Sequence, residues 1–215
     1  MTGSTILGTK LLQVGKNLSN ELAKNTDLYK IPTAIPKEVA DFIIKQYSEL
    51  EHENPTVNVK NPRIDTSIRK CKVRGLHTDC WVAGMLAHFV HCANKQTFKY
   101  DLKQWSNLLQ FLVYDEPGDH YEWHCDAAKD EFNSEYIRKL TAILCLSSKD
   151  DYEGGELEIA MTPTDMVDGF ANADKIKLDI GEVIIFPTDS LHRVHPLISG
   201  TRSVLIGWMG GPKFV

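Results

Sequence analysis

From about residue 106 onward, short apolar runs alternate with turn residues, and this pattern limits the fold more than any other feature of the sequence. Turn signals such as Glu116-Pro117-Gly118-Asp119 and Gly154-Gly155 separate the runs. Each run is long enough for a buried strand and too short for a core helix. Many short strands at this spacing are typical of an all-β sandwich or barrel. The runs are residues 108–114, 140–146, 157–160, 183–187 and 202–208.

Helical periodicity precedes this region. Pro36 stands near the first turn of a segment in which Val39, Phe42, Ile43 and Tyr47 recur at helical spacing. Residues 81–92 form a second helical candidate with apolar side chains on one side. Helices followed by strands indicate the α+β class.

Length and composition indicate one ordinary globular domain with an appendage. The chain has 215 residues, 42% of them hydrophobic and 25% charged. No apolar stretch is long enough for a membrane span, and no secretory signal is visible at the N-terminus. The five cysteines are an odd number without a C-x-x-C pair, so we expect reduced thiols. These features predict a cytoplasmic protein without a membrane partner.

Charge is distributed unevenly along the chain. Residues 1–105 carry 15 Lys and Arg against 10 Asp and Glu, whereas residues 106–215 carry 9 against 19. The acidic half argues against a nucleic-acid partner, because such binding requires Lys and Arg to displace counterions. The basic excess concentrates between Lys60 and Arg74. That segment is interpreted as a solvated loop or hairpin, or alternatively as a rim that faces the substrate.

Two histidines and a carboxylate form the candidate metal site. On a strand, His124 and Asp126 point to the same face, so both can bind one cation. His192 follows the buried run 183–187 and would complete the set. Two histidines and one carboxylate with open positions suit a non-haem ferrous ion that binds O₂. The His-x-Asp triplet alone is weak evidence, because chance supplies such triplets.

Arg202 is the most diagnostic residue. It opens the last apolar run, and its face of the strand also carries Val204, Ile206 and Trp208. A buried guanidinium without a partner is costly, so Arg202 should meet an anion, and no acidic residue lies on its face. Its planar donors suit a carboxylate held by two hydrogen bonds. An edge position, from which Arg202 reaches solvent, is the alternative.

Three ordered blocks of sequence resemble the iron(II)/2-oxoglutarate-dependent dioxygenases, in the prolyl 4-hydroxylase-like branch with its bacterial and phage PKHD-type relatives. The first block is Tyr114-Asp-Glu-Pro-Gly-Asp-His-Tyr121-Glu-Trp-His124-Cys-Asp126. The second comprises Arg138-Lys-Leu-Thr141 and Tyr152-Glu-Gly-Gly-Glu-Leu157, and the third runs from Phe186 to Arg202. The resemblance covers at least residues 110–212.

The resemblance implies roles for particular residues. His124, Asp126 and His192 would be the iron ligands, and Arg202 would pair with the C5 carboxylate of 2-oxoglutarate. Tyr114 would add a hydroxyl donor to the same carboxylate. The spacing from Tyr114 to His124 is one residue longer than is usual in the family. Tyr121 is therefore the alternative to Tyr114 as the hydroxyl donor. Arg138 and Tyr121 are expected to contact substrate, since Arg138 aligns with a substrate-contacting position in some prolyl hydroxylases.

The fold implied by the resemblance is a double-stranded β-helix, a jelly roll whose N-terminal helices pack on the major sheet. We expect an N-terminal extension over residues 1–30, a helical support region with a basic loop or hairpin over 31–105, and the dioxygenase core over 106–215.

The resemblance also implies an activity. The chain would hydroxylate prolyl residues of a peptide or protein with Fe(II), 2-oxoglutarate and O₂, would release succinate and CO₂, and would use ascorbate as reductant. A hydroxylase of a free amino acid or other small molecule is the alternative, and a non-catalytic metal-binding jelly roll is a further one. A zinc hydrolase would need a general base near the metal, for which Glu122 is the candidate, but it would leave Arg202 without a carboxylate.

Overall fold

A computed structural model describes residues 28–57, 63–127, 135–160 and 173–214. Most of the expected N-terminal extension and part of the basic segment lie outside the described residues. Two helices are α1 (Lys37–Tyr47) and α2 (Trp81–Ala93), and α2 continues into a π-helical turn at Asn94–Phe98. The strands are β1 (Tyr29–Ile31), β2 (Thr56–Val57), β3 (Arg63–Ile64), β4 (Arg69–Lys70), β5 (Lys72–Leu76), β6 (Gln104–Trp105), β7 (Leu109–Tyr114), β8 (His120–His124), β9 (Tyr136–Cys145), β10 (Tyr152–Gly154), β11 (Leu157–Ala160), β12 (Asp174–Ile176), β13 (Val183–Pro187), β14 (Leu191–Val194), β15 (Leu197–Gly200) and β16 (Arg202–Pro212).

Two antiparallel sheets form the body of the molecule. The seven-stranded sheet has the order β1-β13-β9-β16-β7-β5, and β6 also pairs with β16. The five-stranded sheet has the order β12-β11-β14-β8-β4. The chain passes repeatedly between the two sheets, since β8 lies in the smaller sheet and its neighbours in sequence, β7 and β9, lie in the larger one. This alternation is that of a jelly roll.

Strand β13 of the larger sheet is apolar on both faces, because both faces are buried. Along β13, Val183 and Ile185 belong to the hydrophobic cluster that includes both helices. Ile184 and Phe186 belong to a second cluster, which includes residues of the smaller sheet. Side chains alternate between faces along a strand, so a continuous apolar run is what a strand between two apolar layers requires. The runs 157–160 and 183–187 therefore coincide with β11 and β13.

Both helices contribute to the first cluster. Ile43 of α1 and Leu86 and Val90 of α2 are fully buried in it, together with Phe111 and Leu205 of the larger sheet. Helix α2 contacts β9, β13 and β16. The apolar stripe predicted for each helix is thus the side that faces the core.

The expected support region over residues 31–105 differs from the structure, because it also carries strands of both sheets. β5 and β6 pair within the larger sheet, and β4 pairs with β8 of the smaller one. The basic segment is not simply solvated either: Arg69 and Arg74 are both buried. β4 and β6 have only two residues each and therefore no readable periodicity, which is why the sequence does not reveal these two strands.

Two further features concern the described part of the chain. None of its helices has the length and apolar character needed to cross a membrane. All five cysteines are free thiols.

Candidate metal centre

His124, Asp126 and His192 converge at one end of the smaller sheet. β8 and β14 are hydrogen-bonded neighbours, with His124 directly opposite His192, and Asp126 lies just beyond the end of β8. Nε2 of His124 is 3.6 Å from Oδ1 of Asp126, and Nε2 of His192 is 3.5 Å from Oδ2. One ligand atom from each residue lies within 4.8 Å of the other two. Among the described residues, this is the one such group of three.

Backbone carbonyls orient both imidazole rings. Nδ1 of His124 is 2.7 Å from the Glu122 carbonyl oxygen, and Nδ1 of His192 is 2.9 Å from that of Ser190. A carbonyl only accepts, so each Nδ1 carries the proton and donates it. Each Nε2 is therefore the ring nitrogen that faces Asp126 and would bind a metal ion. A hydrogen bond from Nδ1 to a carbonyl is the one that metal-ligating histidines use.

Burial and mutual charge set the protonation of the group. Burial, assisted by the neighbouring His192, lowers the pKa of His124 to about 3, so this ring is neutral at neutral pH. Burial alone would raise the pKa of Asp126, but His192 and His124 outweigh it and hold that pKa below its usual range. The carboxylate is ionised, as a metal ligand must be.

Neighbouring side chains hold Asp126 in place. The hydroxyl of Thr141, on β9, donates to Oδ2 of Asp126 at 2.8 Å. Arg138 donates to the backbone carbonyl of Asp126 at 3.0 Å and to Asn107, and its guanidinium lies over the Trp208 ring. The expected substrate residue Arg138 therefore lies beside the metal ligands.

Arg202 is deeply buried, which excludes the edge position. The residue is only 2% exposed, and its Nη1 has no hydrogen-bond partner among the described residues. Gly155 gives the side chain room, because a Cβ there would lie 3.2 Å from Cδ of Arg202. A buried guanidinium with an unpaired donor is a site for an anion.

Tyr114 lies directly across from Arg202, on β7. The guanidinium carbon is 5.2 Å from the centre of the Tyr114 ring. Burial raises the pKa of the Tyr114 hydroxyl, which stays a hydrogen-bond donor. In the turn that follows Tyr114, the Asp119 carboxylate accepts from the N–H groups of Asp115 and Glu116.

Tyr121 contacts His124 of the candidate metal site. Its ring stacks on that of His124, with ring centres 3.5 Å apart and an interplanar angle of 16°. The guanidinium of Arg69 lies over the same tyrosine ring, at 4.6 Å from its centre. The structure thus brings Tyr121 to the metal side of the site and Tyr114 to the arginine side.

Four other residues near the motif point elsewhere. His195 bonds Glu158 at 2.6 Å, and Cys125 donates to the Asp189 carbonyl. His120 is the first residue of β8, and its ring meets the Gly118 and Ser67 carbonyls. The side chain of Glu122 is 49% exposed, which does not suit a general base at the metal.

Sequence reasoning missed two residues of the site. Thr141 lies in the second block of sequence that resembles the dioxygenases, but no sequence signal connects it with Asp126. Arg69 belongs to the basic segment, where a run of Lys and Arg hides the arginine that reaches the site. Its pairing with Tyr121 across β4 and β8 places it at the site.

Residues 109–210 match the family model described as the 2OG-Fe(II) oxygenase superfamily. The matched segment is just under half of the chain. The resemblance predicted from the sequence, including its PKHD-type branch, is confirmed.

Curated relatives are similar over the same part of the chain. A PKHD-type hydroxylase of Synechococcus sp. (strain CC9902) is 38% identical over 94 residues, which is 44% of this chain and 37% of the relative. A PKHD-type hydroxylase of Crocosphaera subtropica is 36% identical over 101 residues, which is 47% of this chain and 41% of the relative. The match spans about two fifths of the length of these relatives.

Solved structures share the fold over most of the chain. A Pseudomonas putida prolyl-4-hydroxylase has a TM-score of 0.65 at 18% identity, with 90% of this chain and 96% of that one covered. A Trichoplax adhaerens prolyl hydroxylase, solved with a hypoxia inducible factor peptide fragment, has a TM-score of 0.68 at 17% identity, with 97% and 94% covered. These likenesses show the jelly-roll fold.

Proposed function

We propose that this protein is an Fe(II)- and 2-oxoglutarate-dependent dioxygenase that hydroxylates prolyl residues of a peptide or protein and releases succinate and CO₂. The observation that carries the proposal is the buried, partly unpaired Arg202 in the same molecule as a preformed His-Asp-His group. A metal site alone would suit many functions. A metal site with an anion-binding arginine suits a metal enzyme whose co-substrate is a dicarboxylate.

The donor set fits ferrous iron. Two neutral imidazoles and one carboxylate on one side of an ion form the arrangement used by non-haem Fe(II) oxygenases, and the opposite side stays open. His124, Asp126 and His192 would be the ligands. Thr141 would fix the carboxylate, and the two backbone carbonyls would fix the rings.

The arginine side fits 2-oxoglutarate. Arg202 would bind the C5 carboxylate of the co-substrate, and the Tyr114 hydroxyl would donate to the same group. With iron and 2-oxoglutarate bound, O₂ would supply the oxidising power for inserting oxygen into an unactivated C–H bond, and 2-oxoglutarate would supply two of the four electrons that O₂ takes up. The chain supplies orientation and a dry surrounding, since Phe186, Ile159 and Val204 line the space between the sheets with apolar groups.

The prolyl substrate is supported by the relatives. The similar proteins are named PKHD-type hydroxylases, and two structural neighbours are prolyl hydroxylases, one of them bound to a peptide. Arg138 and Tyr121, beside the metal ligands, would contact this substrate. Ascorbate would serve as reductant. A free amino acid or other small molecule remains the alternative substrate class.

The proposal also gives the two helices a structural role. Helices α1 and α2 would act as the support of the larger sheet, which keeps β9 and β16 in register and so keeps Thr141 and Arg202 in position. The shared buried cluster of helix and strand residues supports this role.

Turnover with defined peptides tests the proposed activity. The protein, Fe(II), 2-oxoglutarate, ascorbate and O₂ are incubated with a library of proline-containing peptides, and both succinate and peptide mass are measured. The proposal expects succinate in proportion to a one-oxygen mass gain located on proline. Oxidation of matched peptides with alanine in place of proline would refute the prolyl assignment while leaving the dioxygenase class standing.

A further inference from the structure

Arg69 is a second buried guanidinium at this site, and the roles outlined above do not use it. The residue is 8% exposed. Its Nη2 donates to Oε1 of Gln110 at 2.9 Å, and its Nε has no hydrogen-bond partner among the described residues. Since β4 belongs to the smaller sheet and Gln110 lies on β7 of the larger one, the side chain spans the space between the sheets.

No carboxylate of the described residues forms an ion pair with Arg69. The ionisable groups around it are the Cys71 thiol and the hydroxyls of Tyr114 and Tyr121. Thiols and phenols are ordinarily uncharged at neutral pH, and burial raises the pKa of Cys71 and of Tyr114 further. The positive charge of Arg69 is therefore buried without an anion, which is unfavourable unless something supplies one.

The cofactors of the proposed function do not supply that anion. With neutral histidines, the ferrous ion and Asp126 together carry one positive charge. The two carboxylates of 2-oxoglutarate and the guanidinium of Arg202 bring the total to zero. The charge of Arg69 remains, at a position stacked over Tyr121, whose ring in turn stacks on the metal ligand His124.

We propose that Arg69 is a specificity-determining residue that binds a carboxylate of the substrate beside the metal. This inference rests on the proposed function and narrows its substrate class to molecules with a carboxylate close to the carbon that reacts. The carboxylate belongs either to an acidic side chain next to the target proline or to the α-carboxylate of a free or chain-terminal amino acid. A guanidinium fork with an unused donor suits both sources.

The test measures binding to the anaerobic complex of the protein with Fe(II) and 2-oxoglutarate, using pairs of probes that differ only in charge. Acetylated, amidated peptides with glutamate beside proline are compared with their glutamine counterparts, on both sides of the proline. Free L-proline is compared with L-prolinamide. We expect the carboxylate member of one pair to bind at least about tenfold more tightly. The pair that shows the preference identifies the source of the carboxylate.

Variants of the adjacent residues Arg69 and Lys70 test whether Arg69 causes the preference for the carboxylate probe. Arg69→Gln removes the charge, and we expect it to abolish the preference while the dissociation constant of 2-oxoglutarate stays within about twofold. Lys70→Gln removes the same charge from the same strand, at a half-exposed side chain that pairs with Glu116 and Asp119 outside the site. It should keep the preference. Arg69→Lys, which retains the charge, should keep part of it and serves as the second variant if Arg69→Gln fails to fold.

Several results would overturn the inference. Equal or undetectable binding of all carboxylate and amide probes by the wild type would refute it, as would a preference that survives in Arg69→Gln. A large loss of 2-oxoglutarate affinity in Arg69→Gln would assign Arg69 to the co-substrate instead. Failure of the proposed function is distinct, because the wild type would then bind no Fe(II) or no 2-oxoglutarate before any probe is added.

Discussion

At the scale of single residues, Asp126 shows how the site is prepared before any metal binds. One carboxylate oxygen faces His124, and the other faces both His192 and the hydroxyl of Thr141. The hydroxyl fixes the rotation of the carboxylate, so both oxygens stay directed at the place where an ion would lie. Partners of this kind typically contribute 10–100-fold to metal affinity.

Thr141→Val tests this arrangement with almost no change of side-chain shape. We expect the dissociation constant of Fe(II) to rise about tenfold, because the Asp126 carboxylate loses the donor that holds it. The free energy of unfolding should fall by only about 1 kcal/mol, the typical contribution of one hydrogen bond. Anaerobic Fe(II) titration and urea unfolding measure the two quantities. Thr201→Val, at an exposed position, is the control, and an equal loss of affinity there would contradict the role given to Thr141.

Glu158 forms ion pairs within the smaller sheet, outside the candidate metal site. Its carboxylate accepts from Arg193 and bonds His195, each at 2.6 Å. Burial would raise the pKa of Glu158, but these two partners outweigh it and hold the pKa below its usual range. A lowered pKa in the folded state stabilises the protein above the unfolded pKa of about 4.3 and loses this effect as pH falls through the folded value.

Glu158→Gln should therefore be less stable than the wild type by about 1–2 kcal/mol at neutral pH. The difference should shrink as pH falls below about 4, where the wild-type carboxylate becomes protonated as well. Urea unfolding over a pH series measures it, with Glu153→Gln, at an exposed position, as the control. A difference that is independent of pH would show that the ion pairs of Glu158 do not stabilise the fold.

At the scale of elements, the turn between β10 and β11 connects backbone conformation to the anion site. Gly154 and Gly155 both have positive φ, at 75° and 66°. Gly155 in addition lies against the Arg202 side chain, where a Cβ would come within 3.2 Å of Cδ. The turn thus has two requirements for glycine, one from the backbone and one from the space that the arginine needs.

Gly155→Ala and Gly118→Ala separate these two requirements. Gly118 has a φ of 84°, and nothing lies within 4 Å of a Cβ placed there. Each variant should lose about 1–2 kcal/mol of stability from the strained backbone. Only Gly155→Ala should also weaken 2-oxoglutarate binding, because its methyl group displaces Arg202. Equal affinities for 2-oxoglutarate in the two variants would show that the turn does not shape the anion site.

The elements that the sequence predicted are those whose pattern is local. β11 and β13 begin and end at the predicted residues, because each is an apolar run between turn residues. The burial of Arg202 was predicted for the same reason, since its neighbours on the strand are apolar. The inward position of Arg69 was missed. It depends on the pairing of a two-residue strand with β8, a non-local contact that no periodicity of the segment signals.

At the scale of the whole molecule, the larger sheet separates two apolar layers with different tasks. The layer on the helix side contains Leu86 and contributes mainly to the stability of the fold. The layer between the sheets contains Phe186, whose ring meets that of His192 edge-on with centres 4.9 Å apart. The jelly roll therefore places the site against the second layer and leaves the first as support.

Leu86→Ala and Phe186→Ala test this division. Both side chains are fully buried, so we expect the free energy of unfolding to fall by about 2–5 kcal/mol in the first and about 3–5 kcal/mol in the second. Fe(II) affinity should stay within about twofold in Leu86→Ala and should fall in Phe186→Ala, where the His192 ring loses its neighbour. Chemical unfolding and metal titration measure the pair. Equal losses of affinity would contradict the division of tasks.

In the proposed enzyme, one cleft would hold Fe(II) on His124, Asp126 and His192 and 2-oxoglutarate on Arg202. Anaerobic titration with Fe(II) and then 2-oxoglutarate, followed through the weak visible charge-transfer band of the chelate, measures both binding events together. We expect a band in the wild type and in the control His195→Gln, no band in His192→Ala, and a band in Arg202→Ala only at much higher 2-oxoglutarate. No band in the folded wild type at saturating Fe(II) and 2-oxoglutarate would refute the proposed cofactor site.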